Sequence, residues 1–158
     1  MIKKINLFKE NCAELLATFL YVGYAPVMPG TIASLVTMAL WFIMPPVSGE
    51  FFLLFCVVIG FLGVWASFVI EQKKRLKDPS YIVIDEVFGM SIALCMLPKI
   101  LLVYLGALVL FRFFDITKIF PVYLAEKYLQ GGWGVMCDDL VAGLMARVCL
   151  ALLMMLVA

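Results

Sequence analysis

The chain has 158 residues, 66% of them hydrophobic, a mean hydropathy of +1.12 and a formal net charge of +1. Soluble domains are nearer roughly 45–50% apolar, so the composition predicts an integral membrane protein with one domain over residues 1–158. The near-neutral balance excludes a basic nucleic-acid surface, and the absence of histidine excludes His general bases, Ser-His-Asp triads and His-ligated zinc.

In chain order, Ile5 to Leu20 has helical period. Ile5, Phe8, Cys12, Leu15, Leu16 and Phe19 share one face, while Asn6, Lys9, Glu10, Asn11 and Glu14 fall elsewhere. This predicts an amphipathic helix on a membrane surface. Lys9, Glu10 and Glu14 interrupt any signal-peptide core. Gly23 to Ser34 holds two prolines and two glycines and reads as a loop. Thr31 and Ser34 stand where the next helix starts. A hydroxyl there suits N-capping, and hydroxyls with free N–H groups at a helix start also suit a phosphate. The helix counted from Gly30 to Met44 is about 22 Å long, short of a hydrocarbon core of about 30 Å. Pro45 to Glu50 turns the chain, and Phe51 to Ile70 is a full-length uncharged span.

Glu71 to Asp78 is a polar, basic connector. Asp78 before Pro79 reads as an N-cap with proline at the first helical position. That predicts a helix to about Leu97, with Asp85 and Glu86 two turns inside it. Pro98-Lys99 turns the chain, and Ile100 to about Phe114 is an apolar helix ending among Arg112, Asp115 and Lys118. A polar loop from Pro121 to Trp133 leads into Gly131-Gly132-Trp133-Gly134-Val135-Met136-Cys137-Asp138-Asp139. The glycines predict a tight bend, and the last helix is expected from Asp138 to Val157. One Asp suits the N-cap and the other the positive dipole end. Adjacent carboxylates also repel unless a positive charge lies between them, which favours a divalent cation. The five cysteines are odd in number, lack CxxC spacing and read as reduced packing residues.

The predicted fold class is therefore all-α: a polytopic membrane helical bundle of about four to five short spans plus the N-terminal amphipathic helix. Spans at 30–44, 51–70, 79–97, 100–114 and 138–157, with the N-terminus in the cytoplasm, place ten of the twelve Lys and Arg on the cytoplasmic side. Lys99 is then external, and Arg147 lies in the last helix without an assigned role. Thr31, Asp85, Glu86, Arg112, Asp115, Lys118, Asp138 and Asp139 gather at one face.

Asp85 and Glu86 lie in an apolar stretch, where charges are usually functional; a salt bridge to a neighbouring helix is the structural alternative. Arg112, Asp115 and Lys118 are spaced i, i+3, i+6. They read either as ion pairs on a solvated face, or as a metal ligand flanked by two phosphate-binding cations. Five carboxylates, two cations and a hydroxyl-bearing loop at a membrane interface suit a reaction on a phosphorylated lipid head group. Mg²⁺ would neutralise the phosphate and lower the pKa of a water, and a carboxylate would serve as general base.

Four ordered segments carry a more specific signal. They are Pro29-Gly30-Thr31, Val83-Ile84-Asp85-Glu86-x-x-Gly89, Phe111-Arg112-x-x-Asp115-x-x-Lys118, and Gly131-Gly132-x-Gly134-Val135-Met136-x-Asp138-Asp139-x-x-Ala142-Gly143. Together they resemble the phosphatidylglycerophosphatase A family over about residues 12–158. The resemblance implies a multi-pass, Mg²⁺-dependent phosphatase of the bacterial inner membrane. It would convert phosphatidylglycerophosphate to phosphatidylglycerol, and the orientation set by the basic residues turns the active site to the cytoplasm. The resemblance also implies an acidic site of Asp85, Glu86, Asp115, Asp138 and Asp139; the set is expected to hold the metal, with Asp85, Glu86 and Asp139 catalytic. Thr31, Arg112 and Lys118 would be on the phosphate side, with Ser34 beside them.

The chain departs from the family pattern at Lys118-Ile119-Phe120-Pro121, for a usual Lys-Pro-x-Pro, and at Ala33, for a usual glycine. Other phosphatase chemistries lack their motifs, there being no Cys-x5-Arg and no Asp-x-Asp, and the Asp-Gly-x-x-Ala-Arg of the alcohol phosphatidyltransferases, which also use carboxylates and Mg²⁺, is missing. The competing class is a small transporter or channel subunit, which expects an aqueous path through the midplane. A homo-oligomer is compatible with the sequence.

Overall fold

Seven α-helices account for most of the residues described in the computed structural model, which are 2–76, 79–129 and 131–157. Lys77 and Asp78 lie outside that description, as do the side chains of residues 2–6, 126, 127 and 157. The helices are α1 (Ile2–Ala17), α2 (Pro29–Ile43), α3 (Gly49–Lys74), α4 (Ile84–Leu94), α5 (Leu101–Thr117), α6 (Val122–Tyr128) and α7 (Gly132–Val157), with a 3₁₀ turn at Val22–Tyr24. The described residues contain no strand, as an all-α fold requires.

The span count is corrected. Two helices, Gly49–Lys74 and Gly132–Leu156, are long and apolar enough to cross a membrane, where four to five were expected. The shortfall is one of length. α2 has 15 residues and α5 has 17, about 22 and 26 Å of helix against a core of about 30 Å.

α4 departs furthest from expectation, since it has only 11 residues. Residues 79–83 form a turn and a link: the Ile82 amide donates to the Pro79 carbonyl and the Val83 amide to the Ala17 carbonyl, each at 2.8 Å. Three successive β-branched residues, Ile82, Val83 and Ile84, disfavour an earlier helix start. The cap expected at Asp78 lies outside the described residues. α4 is instead the central helix, packed by α2, α3, α5 and α7. Ile84, Val87, Met90, Ala93 and Leu94 are all buried. In the same core the Trp41 indole donates to the Ser91 hydroxyl at 2.9 Å, tying α2 to α4, a bond worth about 1 kcal/mol.

α7 starts six residues earlier than expected. The glycines before Asp138 serve close packing as well as turning. Gly131 has φ +61° and makes the bend, but a Cβ on Gly132 would lie 2.2 Å from the Val64 carbonyl oxygen of α3. α7 and α4 approach as closely: a Cβ on Gly143 would lie 2.3 Å from the Gly89 carbonyl oxygen, and one on Gly89 2.6 Å from that of Asp139. Small residues at such crossings let helices pack where lipid provides no hydrophobic drive between them.

α1 packs on α3 through Ala13 and Ala17, both fully buried against Ala66, Val69 and Ile70. The predicted apolar stripe turns outward in part, with Phe8 73% exposed. α3, α5 and α7 also carry large exposed apolar side chains, among them Phe61, Leu102, Val109 and Leu152.

Candidate active site

Two expected positions along the helices are exchanged. Asp85 and Glu86 stand in the first turn of α4, not two turns in, so they sit at the positive end of its dipole. Asp138 and Asp139 lie six and seven residues into α7, so neither is its cap. The parallel run of the two helices nonetheless brings Asp85, Glu86 and Asp139 together. One carboxylate oxygen from each lies within 4.8 Å of the others. Asp139 is 2% exposed and Asp138 7%.

The five carboxylates divide. Asp138 turns to Lys118, with Oδ2 2.9 Å from the ammonium, while its Oδ1 accepts from the Asp139 amide at 3.0 Å. Asp115 pairs with Arg112 one turn earlier on α5, at 2.6 Å. The Arg112 guanidinium also reaches Glu86 at 3.6 Å. Lys118 is the left-handed C-cap of α5, which swings its side chain toward α7. The Arg112–Asp115 pair is largely buried, not the solvated-face pair that spacing alone allows.

α2 closes the site from another side. Its N-cap is Met28, with no side-chain cap, and Pro29 occupies N1 or N2, so the expected capping by Thr31 or Ser34 does not occur. A Cβ on Gly30 would lie 1.8 Å from Glu86 Oε1 and 3.2 Å from an Arg112 terminal nitrogen. The sequence assigns Gly30 no role, although it stands in the Pro29-Gly30-Thr31 segment; its place against Glu86 and Arg112 emerges only from the packing of α2. Thr31 Oγ1 is buried beside it with no hydrogen-bond partner, as are Glu86 Oε2, Arg112 Nε and Asp139 Oδ2. Ser34, one turn on, is fully buried and donates to the Gly30 carbonyl at 2.8 Å.

The residues present fit a hard cation. Mg²⁺ takes carboxylate oxygens, and Asp85, Glu86 and Asp139 each offer one within 4.8 Å of the other two. Buried polar atoms without partners are rare in native structures. Two here are carboxylate oxygens of that group, one belongs to Arg112, which reaches Glu86, and one to Thr31, the neighbour of Gly30.

Arg147, unplaced by sequence, is 52 residues from its partner: its Nε donates to the Cys95 carbonyl at 2.6 Å, at the C-terminal end of α4.

This fold and site define a class: an all-helical protein with two helices apt for a bilayer and a carboxylate group faced by Arg and Lys, suited to work on phosphate. Comparison with known proteins gives the family. The phosphatidylglycerophosphatase A family model matches residues 15–154. A phosphatidylglycerophosphatase A of Escherichia coli K12 is 31% identical over 146 residues, 92% of this chain and 85% of that protein. One from Haemophilus influenzae Rd is 35% identical over 147 residues, covering 92% and 89%. A Bacteroides thetaiotaomicron protein, provisionally named a phosphatidylinositol-3-phosphatase, is 36% identical over 137 residues, covering 82% and 85%. No solved structure matches. The chain belongs to the phosphatidylglycerophosphatase A family, and is a phosphatase acting on a phosphate monoester.

Proposed function

We propose that this chain hydrolyses phosphatidylglycerophosphate to phosphatidylglycerol and phosphate, at the cytoplasmic face of a bacterial inner membrane that it crosses more than once. The observation that carries the reading is the group of Asp85, Glu86 and Asp139 within 4.8 Å, faced by Arg112. These three carboxylates would hold Mg²⁺, which supplies charge neutralisation at the phosphate and a lowered pKa for a water.

The chain's own residues do the rest. Arg112, whose Nε has no partner, offers a bidentate fork to two phosphate oxygens. Lys118 adds a point charge from the end of α5. The Thr31 hydroxyl and the first amides of α2, which no side chain caps, donate to a third oxygen. Glu86 or Asp139 accepts the proton of the attacking water. The water oxygen bonds to phosphorus, the bond from phosphorus to the glycerol oxygen breaks, and the proton passes to that leaving oxygen.

The membrane setting is supported by the exposed apolar faces of α3 and α7. Sidedness is supported by charge: Lys73, Lys74 and Arg75 end α3 on the side where α7 begins, and Asp139 lies seven residues into α7 from that side. The test is inorganic phosphate release by detergent-purified chain with phosphatidylglycerophosphate, phosphatidylinositol 3-phosphate as comparator, and Mg²⁺ present or chelated. Preference for phosphatidylglycerophosphate and dependence on Mg²⁺ are expected. Full activity in EDTA would remove the metal, and preference for the inositol lipid would replace the substrate.

A further inference from the structure

We infer that Arg147 is a positioning residue that sets the separation of Asp85 and Glu86 from Asp139, although it touches none of them. The inference rests on the reading of those carboxylates as a cation site.

α4 and α7 meet at three levels. At one end, Asp85 and Glu86 of α4 face Asp139 of α7. In the middle, Gly89 and Gly143 let the two backbones approach so closely that a Cβ on Gly143 would lie 2.3 Å from the Gly89 carbonyl oxygen. At the far end, Arg147 Nε donates to the Cys95 carbonyl at 2.6 Å. Arg147 follows Asp139 by eight residues, about 12 Å along the helix, and Gly143 lies halfway between. The glycine crossing is thus a pivot with a carboxylate on one arm and the arginine on the other.

The forces on the two arms differ. Like charges at the carboxylate arm push the helices apart. The two glycines set how closely the backbones approach but bring no side chain of their own to resist tilt, and Phe111 and Ile92 pack beside them. At the far arm, the Ile92 and Leu94 carbonyls accept from the Cys95 and Leu97 amides, and the carbonyl of the C-cap Cys95 is the one that Arg147 reaches. A guanidinium there meets both that acceptor and the negative dipole end, in partly buried surroundings where a charge-assisted bond is strong. Fixing that end fixes the tilt, and with it the oxygen spacing at the other. A Mg²⁺ site tolerates little error in that spacing.

The test uses the full chain in detergent without lipid substrate and titrates Mg²⁺ by calorimetry, with hydrolysis kinetics measured in parallel. Arg147→Met keeps the apolar stem and removes the donor. It should weaken Mg²⁺ binding about tenfold, the loss expected for one charged hydrogen bond, and lower kcat while leaving KM for the lipid nearly unchanged. Arg147→Lys should recover most of the affinity. Arg147→Gln, a neutral donor, should fall between and serves if the Met protein does not fold. A lower Tm with wild-type Mg²⁺ affinity in the Met or Gln protein gives Arg147 a purely structural role and overturns the inference. Wild-type chain that binds no Mg²⁺ removes the cation site, and the inference with it.

Discussion

Two regions of the molecule bring carboxylates together, and they are balanced differently. Between α1 and α3, Glu10 and Glu14 share Lys73 at 3.4 and 3.3 Å, and the Tyr24 hydroxyl donates to Glu14. That hydrogen bond does most to hold Glu14 below its ordinary 4.5, with Lys73 adding to it against the opposing effect of burial. The same bond chiefly pushes Tyr24 up to about 12. Every acid there has a partner. Around α4, five carboxylates (Asp85, Glu86, Asp115, Asp138, Asp139) face two cations, Arg112 and Lys118, a formal excess of three negative charges. Glu86 and Asp139 each keep a buried oxygen without a hydrogen bond. The α1–α3 cluster sets two carboxylates against Lys73 in half-exposed surroundings, whereas the site buries a larger excess of negative charge, which a bound cation or protonation would relieve.

Substitutions at the two regions should separate in the same way. The largest effect is expected at Asp139→Asn, which should lower kcat by about 10²–10⁴-fold, the usual contribution of an acid–base group, in a phosphate-release assay. EDTA should bring wild type to the same background, and added Mg²⁺ should restore wild type but not the variant. Next is Gly30→Ala, whose Cβ would overlap Glu86 Oε1. Displacing that carboxylate by about 1 Å should cost on the order of 10²-fold in kcat, with the helical circular dichroism unchanged. Activity near wild type in Gly30→Ala would show that Glu86 has room to move without consequence.

Lys118→Met should act on substrate binding and raise KM about tenfold, the worth of one charged contact. It also releases Asp138, so a fall in kcat alone would place Lys118 with the carboxylates rather than the phosphate. The smallest effects belong to the other region. Glu14→Gln should leave kcat within about twofold and cost at most about 1 kcal/mol, as exposed pairs do. Because the folded Glu14 pKa is lowered, its contribution to holding α1 is present above pH 4.5 and lost as pH falls through the folded value. Tyr24→Phe removes the main cause of that shift, so the acid release of α1, followed by amide hydrogen exchange, should move to higher pH.

Much of the site was legible in the sequence because charge in an apolar chain is conspicuous. Asp85, Glu86, Arg112, Asp115, Lys118 and Asp139 stand out against their neighbours, and the structure gathers all of them. Their depth along each helix was not legible. Pro79 read as a helix start, yet the Val83 amide is taken by Ala17, a residue 66 positions away. The glycines before Asp138 read as a loop, yet Gly132 is small because α3 passes against it. Local rules weigh a residue against its neighbours in sequence, and both outcomes were decided by partners distant in sequence.

The sequence by itself determined the helical class, the family, and which side chains carry charge, since composition and motif spacing need no partner to be read. Only the tertiary structure decided that α4 is a central helix of 11 residues and not one running from Pro79 to Leu97. It alone showed that Gly30 lies against Glu86 and that Arg147 answers Cys95. Those facts depend on how closely separate helices approach, a property of packing that no single stretch of chain contains.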